Sequence, residues 1–251
     1  MNKLIYLIIA VLIVLTVLFS YKVRNYRFDI IQDSVSTDVK KTPAPKKEVL
    51  IEVIPKPVVW DAQRKYLTAL YRKKHTGDCD ADNEGIEACI KITPKIIVLH
   101  MTDLPTMEQS FEYMKEPVLR EEREKLISKS YDRVNVSAHF MVDRDGAIYS
   151  LMPENYMARH AIGVNHLSIA IENVGMNLDG PTREQVDSNL KLVRYLMNKY
   201  NIRPDNIYSH SSTGTLREKR SPLFVELDEN YFEHKKCGDK ILNAVKKRLS
   251  Q

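Results

Sequence analysis

Ile96-Ile97-Val98-Leu99-His100 is a short aliphatic run, rich in β-branched residues, that closes on a histidine, and Ile207-Tyr208-Ser209-His210 repeats the ending late in the chain. Between them lie two more strand signals, Ser137-Ala138-His139-Phe140-Met141-Val142 and Ile148-Tyr149-Ser150-Leu151, joined through Asp143-Arg144-Asp145-Gly146. Asp-Gly at a short connection predicts a hairpin, because both residues tolerate the backbone angles that a tight turn demands. Ser168-Ile169-Ala170-Ile171-Glu172 is apolar at successive positions, as a strand covered on both faces would be. Helical signals separate these strands. Thr106-Met107-Glu108-Gln109 is a capping box that opens a helix carrying Phe111 and Met114 and limited by Pro117. Thr182-Arg183-Glu184-Gln185 opens a longer one, with Val186, Leu190, Val193, Met197 and Tyr200 at helical spacing and Asn201 and Pro204 at its end. An irregular stretch follows His210, and a last helix begins after Asp239. Strands interleaved with helices predict an α/β domain, a sheet covered by helices.

Upstream, Asp61 can cap a helix running to Lys73-Lys74-His75, with Leu67, Leu70 and Tyr71 on one face and Gly77 just beyond. The folded domain is therefore expected over residues 60–251. Residues 28–59 carry Thr42-Pro43-Ala44-Pro45-Lys46-Lys47 and Pro55-Lys56-Pro57, the composition of an extended, semi-rigid linker. Leu4 to Phe19 is apolar except at Thr16, and Lys22, Arg24 and Arg27 follow. A helix through Tyr21 would span roughly 27 Å, near the lower limit for a bilayer. No small-x-small cleavage site follows the run, so residues 1–27 are expected to be an uncleaved membrane anchor rather than a removed signal peptide. Lys3 and the amino terminus face cations on the other flank, so charge does not set the orientation.

The net charge of +5 is spread among acidic residues, and no segment combines clustered basic and aromatic side chains. That pattern excludes a nucleic-acid groove. Cys79 and Cys89 flank a short polar loop at a spacing suited to a disulfide in an oxidising compartment. Asp78, Asp80 and Asp82 alternate as in a calcium loop, but Asn83 stands where that loop needs glycine and Cys89 where it needs glutamate. Cys237 is the odd cysteine. With His100 and His210 it completes a set of neutral imidazoles and a thiolate, the ligand types that zinc selects. Three such ligands leave the fourth tetrahedral position free, which distinguishes a catalytic zinc from a structural one.

The ordered series Ile97–Thr102, Val136–Glu154, Ala158–Gly175, a long helix and a strand ending in histidine resembles the zinc-dependent N-acetylmuramoyl-L-alanine amidase family, which includes the peptidoglycan recognition proteins. The resemblance runs from about Ile96 to the C-terminus and implies a central mixed β-sheet flanked by helices, with zinc in a groove at the strand ends. It matches His100 and His210 to the first and second metal ligands. For the third, Ser221 in Lys219-Arg220-Ser221-Pro222 competes with Cys237 in Lys235-Lys236-Cys237. Ser221-Pro222-Leu223-Phe224 and Tyr231 look like an insertion that some members carry, and thiolate is the better ligand, so Cys237 is favoured. Glu172 aligns with the family's general base and Lys235 with a lysine that would steady the oxyanion.

The same resemblance places His160, in Arg159-His160-Ala161, and Asn165 and His166 along the substrate groove, with Ser168 beside them. His139 lies mid-strand, where a groove contact and a core position are both open. His75 and His234 read as surface residues, His234 being the neighbour of Lys235 most easily mistaken for a ligand. The resemblance implies hydrolysis of the amide between N-acetylmuramic acid and L-alanine, peptidoglycan or muropeptides as partner, Zn2+ as cofactor, and a domain facing the periplasm or the outside of a bacterial cell membrane. A membrane-tethered module that binds peptidoglycan without cutting it is the alternative.

Overall fold

The computed structural model describes residues 51–120, 133–229, 231 and 237–251. Six strands form one mixed sheet: β1 (Ile54–Pro55), β2 (Ile96–Met101), β3 (Phe140–Val142), β4 (Ile148–Ser150), β5 (Ser168–Asn173) and β6 (Ile207–Ser209), in the spatial order β1-β4-β3-β5-β2-β6. β3 and β4 are the expected antiparallel hairpin, and β5, β2 and β6 run parallel to one another and to β3. The helices are α1 (Ala62–Thr76), the short α2 (Ala81–Glu84) and α3 (Ile86–Ile90), α4 (Met107–Lys115), α5 (Arg183–Tyr200), α6 (His210–Glu218) and α7 (Asp239–Leu249).

Alternation along the strands assigns the two faces. Ile97, Leu99, Ile169, Ile171 and Ile207 turn toward α5 and α7 and pack on Val186, Leu190, Val193, Ile241 and Val245. Ile96 and Val98 turn the other way, toward Ala161, Val164, Leu167 and Leu216, while Met107, Phe111 and Met114 of α4 cover Met141 and Ala170. Burying one such side chain stabilises by roughly 1.5–3 kcal/mol, so the doubly covered middle strands are the energetic centre of the domain. Local signals agree with this packing. The Thr182 hydroxyl accepts from the Gln185 N–H while the Gln185 side chain accepts from the Thr182 N–H, and Asn201 ends α5 in the left-handed region at φ 54°.

Three elements differ from the sequence expectations. The body takes in residues that composition assigns to the linker: β1 pairs with β4, the Val58 N–H donates to the Leu151 carbonyl at 2.9 Å, and Ile51 and Val53 pack on the core. The prolines of Pro55-Lys56-Pro57 are tolerated because this strand lies at the sheet edge, where only alternate N–H groups are needed. The stretch after His210 is helix α6 rather than irregular chain, begun by a reciprocal cap between Ser209 and Ser212. On α1, Leu70 is exposed, whereas Arg64, Thr68, Tyr71 and His75 are buried. The Arg64 guanidinium donates to the carbonyls of Met114 (2.8 Å), Lys115 (3.1 Å) and Glu116, the unpaired acceptors at the end of α4. Burial brings its pKa down to about 10, which leaves it charged at neutral pH.

Cys79 and Cys89 are joined in a disulfide with Cα atoms 5.0 Å apart. In the loop that resembles a calcium site, Asp78 is held by Arg72 at 2.7 and 2.9 Å and Asp80 caps α2, so both carboxylates already have partners. Arg72 pulls the Asp78 pKa down to about 2. Among the described residues no helix is long and apolar enough to cross a membrane, and the expected anchor over residues 1–27 lies outside them.

Arg64 holds α1 to α4 through a buried charge, so its loss leaves carbonyls without a donor. Arg64→Ala is expected to lower the unfolding free energy by about 3 kcal/mol, read from urea denaturation. All three carbonyls are met by the one Nη2 nitrogen, so Arg64→Lys, which keeps a charged donor on a shorter stem, should recover part of that loss.

Candidate metal centre

Parallel register assembles the site. Leu99 of β2 lies opposite Ser209 of β6, so His100 and His210, the next residues, emerge side by side at the strand ends. On the other flank of β2, His100 lies opposite Glu172 of β5, and paired residues of a sheet share a face. Cys237 reaches the same place from the entry to α7. Its carbonyl accepts from the Ser211 N–H (3.2 Å) and hydroxyl (3.1 Å), and the next residue, Gly238, lies directly on β2. Gly238 has φ 85°, and a Cβ there would fall 2.1 Å from the Leu99 carbonyl oxygen. Only glycine fits, in backbone angle and in space alike.

The donor atoms of His100, His210 and Cys237 lie within 4.8 Å of one another. The Cys237 sulfur is 3.5 Å from His210 Nδ1, and the His100 and His210 rings are 5.0 Å apart between centroids. Metal–ligand bonds of about 2.0–2.3 Å at tetrahedral angles set donors roughly 3.3–3.8 Å apart; the Cys237–His210 pair already has that spacing, and a contraction of about 1 Å at the widest pair would let the set hold a metal ion. Ser221, the competing candidate, lies beyond the far end of α6, where its N–H bonds the Leu216 carbonyl and its hydroxyl accepts from Leu223. It is not part of the cluster. The Glu172 carboxylate is nearly buried, with Oε1 3.9 Å from His100 Nδ1. Behind the strands, Asn173 Nδ2 donates to the His100 carbonyl at 3.0 Å, and Asn189 of α5 donates to Asn173 Oδ1 at 2.5 Å. This pair ties the strand that carries His100 to the helix layer, and sequence reasoning missed it. The available signal was a pair of buried-strand and mid-helix asparagines with no cap or turn to serve.

A profile of the family described as N-acetylmuramoyl-L-alanine amidase matches residues 90–223. The chain belongs to the N-acetylmuramoyl-L-alanine amidase family. Among solved structures, it is similar to the endolysin amidase LysCS of Clostridium intestinale URNW, at 27% identity over 63% of this chain and 85% of that one, with a TM-score of 0.43. It is also similar to a mutant endolysin from Bacillus subtilis, at 22% identity over 69% of this chain and 97% of that one, with a TM-score of 0.42. A search of curated proteins found no match. The family match ends before Cys237, so it is the folded geometry that joins this residue to the amidase histidines.

Of the residues expected along the substrate groove, His139, Asn165 and His160 make hydrogen bonds within the fold. His139 is wholly buried, with Nε2 donating to the Tyr156 carbonyl (2.8 Å) and Nδ1 accepting from the Ala170 N–H (3.0 Å). Both ring nitrogens are used by backbone, which is the core position of the two that the sequence leaves open. Asn165 is also buried; its Oδ1 accepts from the N–H groups of His160 and Ala161, and its Nδ2 donates to the Tyr71 hydroxyl. It clamps a turn. His166 is half-buried at the start of β5, the end opposite Glu172, in the field of Asp78, Arg72 and Lys95. Only His160 reaches the metal cluster, with Nδ1 3.1 Å from His100 Nε2. Burial, with His139 and His210 as neighbouring imidazoles, holds its pKa well below the ordinary value.

His75, expected at the surface, is buried. Its Nδ1 lies 2.7 Å from Glu226 Oε1, and its ring sits against Tyr71 and Tyr231. Charge clustering at a helix end concealed a contact made by a segment distant in sequence. Lys235 and His234 lie outside the described residues.

Two measurements check this arrangement. Gly238→Ala should destabilise the domain by on the order of 3 kcal/mol and expose Cys237, now 3% accessible, to thiol reagents under native conditions. Separately, burial depresses the His139 pKa to about 4. Below about pH 6.5 the unfolded chain takes up a proton that folded His139 refuses until about pH 4. Stability should therefore fall as pH drops through that window, by on the order of 3 kcal/mol for this group. A urea midpoint unchanged between pH 7 and pH 4.5 would contradict a buried neutral imidazole.

Proposed function

We propose that this chain is a zinc-dependent peptidoglycan hydrolase that cleaves the amide between N-acetylmuramic acid and the L-alanine of the stem peptide. The observation that carries the reading is the convergence of His100, His210 and Cys237 beside Glu172 in a member of this amidase family. Two imidazoles and one thiolate are a zinc donor set and leave the fourth tetrahedral position for water or substrate. Bound there, zinc supplies a Lewis acid for the scissile carbonyl and brings the pKa of water toward 7.

The chain's own groups do the rest. A Glu172 carboxylate oxygen accepts the proton of the attacking water as its oxygen adds to the carbonyl carbon. Glu172 then returns that proton to the leaving nitrogen as the C–N bond breaks, so no proton is lost in the cycle. Its near-burial keeps bulk water from competing for that oxygen. We assign the developing oxyanion charge to the Lys235 ammonium, from its match to the family lysine. His100 is held near the end of β2 and His210 at the first residue of α6, directly after the adjacent strand β6, so the proposed metal-binding face is fixed before substrate arrives. We further propose that residues 1–27 anchor the enzyme in a bacterial cell membrane, with the catalytic domain on the periplasmic or outer side, where peptidoglycan and muropeptides are found.

The test is incubation of the protein with purified peptidoglycan, with and without a zinc chelator, and mass analysis of the products. Free stem peptides beginning with L-alanine, abolished by chelator and restored by zinc, are expected. Glu172→Ala should keep zinc and lose about 100-fold or more of turnover, whereas His210→Ala should lose both. Full activity in Glu172→Ala would remove the proton role. Intact peptidoglycan that retains the protein would make it a binding module instead.

A further inference from the structure

His160 is close enough to the metal cluster to be taken for a fourth ligand or a groove residue, yet its hydrogen bonds define another role. The Ser168 hydroxyl has one hydrogen, and it lies 2.7 Å from the Val164 carbonyl oxygen, which can only accept. The same hydroxyl oxygen lies 2.8 Å from His160 Nε2. With its hydrogen committed to Val164, Ser168 must accept there, so His160 Nε2 carries the ring hydrogen. In a neutral imidazole the other nitrogen, Nδ1, is then a bare acceptor, and it faces His100 Nε2 at 3.1 Å. Only His100 can supply a hydrogen to that contact. His100 is thereby fixed as its Nε2–H tautomer, and its lone pair is left on Nδ1, the nitrogen that lies toward Glu172. His160 is not among the three described residues whose donor atoms converge.

We infer that Val164, Ser168 and His160 form a hydrogen-bond relay that sets the tautomer and ring orientation of His100, making Ser168 and His160 positioning residues for metal binding through His100 Nδ1. The inference rests on the metal reading above and deepens it. A histidine ligand that donates its second N–H to a fixed acceptor is held in one orientation and is a better base toward the metal. Here the acceptor is an imidazole, itself fixed by a serine whose hydrogen is already used. The cross-strand register allows this, because Ser168, Ala170 and Glu172 share the sheet face of Val98 and His100. The small Ala170 side chain lies between Ser168 and Glu172 on that face.

The test measures zinc affinity by competition with a chromogenic chelator, in the parent protein and in Ser168→Ala, His160→Ala and His160→Asn. Ser168→Ala and His160→Ala are expected to weaken binding by about 10- to 100-fold. His160→Asn places an amide oxygen where Nδ1 was and should recover most of the loss. In the cobalt-loaded protein, the thiolate charge-transfer band and the intensity of the ligand-field bands should be unchanged in all three, since no ligand is lost. Parent-like affinity in both alanine variants overturns the relay. So does a changed ligand-field spectrum in His160→Asn, which would make His160 a direct ligand. A parent protein that is folded but takes up no zinc overturns the metal reading itself, a distinct result. Because buried variants can fail to fold, long-range proton–nitrogen NMR of the parent gives a second arm. The Nε2–H form at both His160 and His100 is expected, and an Nδ1–H form at His160 overturns the proposal.

Discussion

The parallel pairing of β2 with β5 on one side and β6 on the other is the constraint on which the site depends. Register across β2 and β5 sets His100 opposite Glu172, and register across β2 and β6 brings His210 level with His100. A slip of one residue would turn every side chain of the shifted strand to the other face. Slippage is opposed by burial on both faces, since Ile97, Leu99, Ile169 and Ile171 have no exposure and neither do Ile96, Val98 and Ala170 on the reverse. With both faces apolar, hydrophobic patterning alone would not resist the slip, so the register is held by the fit of these side chains against the layers packed on each face. The chemistry can therefore be polar at the strand ends because the strands themselves are so apolar in their middles.

Around this sheet the second layer is held by buried polar side chains that each satisfy backbone groups. Arg64 serves the end of α4, Asn135 Nδ2 donates to the carbonyls of Tyr113 and Glu116, and Arg159 donates to the Val134 carbonyl. Gln185 Nε2 donates to the carbonyls of Val142 and Val174. A long polar side chain in such a place substitutes for a missing secondary-structure partner. It adds about 1 kcal/mol net when made, and more is lost when it is removed, because the acceptor stays buried. Such struts carry direction as well as energy. They fix the loops over the sheet face that holds His160 in a way that interchangeable apolar contacts would not.

That division explains what could be read from the chain. Strands β2 to β6, the hairpin, the Thr106 N-cap of α4, the capping box of α5 and the disulfide pair follow local rules, and each stands where its residues predict; at α4 only the Thr106 half of the expected capping box is present. The metal-ligand candidates were legible for a related reason: histidine at the end of an apolar strand is rare enough to notice. The failures share one cause. Arg64, His75, His139, Asn165 and Asn173 are polar residues whose partners lie far away in sequence, so local pattern left Arg64 and Asn173 unread, put His75 at the surface, and could not choose between core and groove for His139. Leu70, apolar and on a promising helix face, is exposed because the opposite, more polar face of α1 holds the contacts with α4. Likewise β1 hides in a Pro- and Lys-rich segment, since an edge strand needs few N–H donors and little apolar surface.

Cys237 shows how a candidate ligand distant in sequence can be placed as firmly as His100 and His210 at the ends of adjacent strands. Its position does not come from its own side chain. Gly238 lies against the Leu99 carbonyl, Ser211 holds the Cys237 carbonyl, and the Ser209 hydroxyl meets Asp239 at 2.5 Å at the start of α7. All three contacts are with residues adjoining His100 or His210, so the thiol is referenced directly to the histidines it joins. Helix α7 fixes the remaining freedom, because Ile241 and Val245 are fully buried against the sheet. The geometry of the three donors is thus a property of β2, β6 and the first turn of α7. A proline after the cysteine could not serve here, since its ring locks φ near −65° and Gly238 stands at φ 85°.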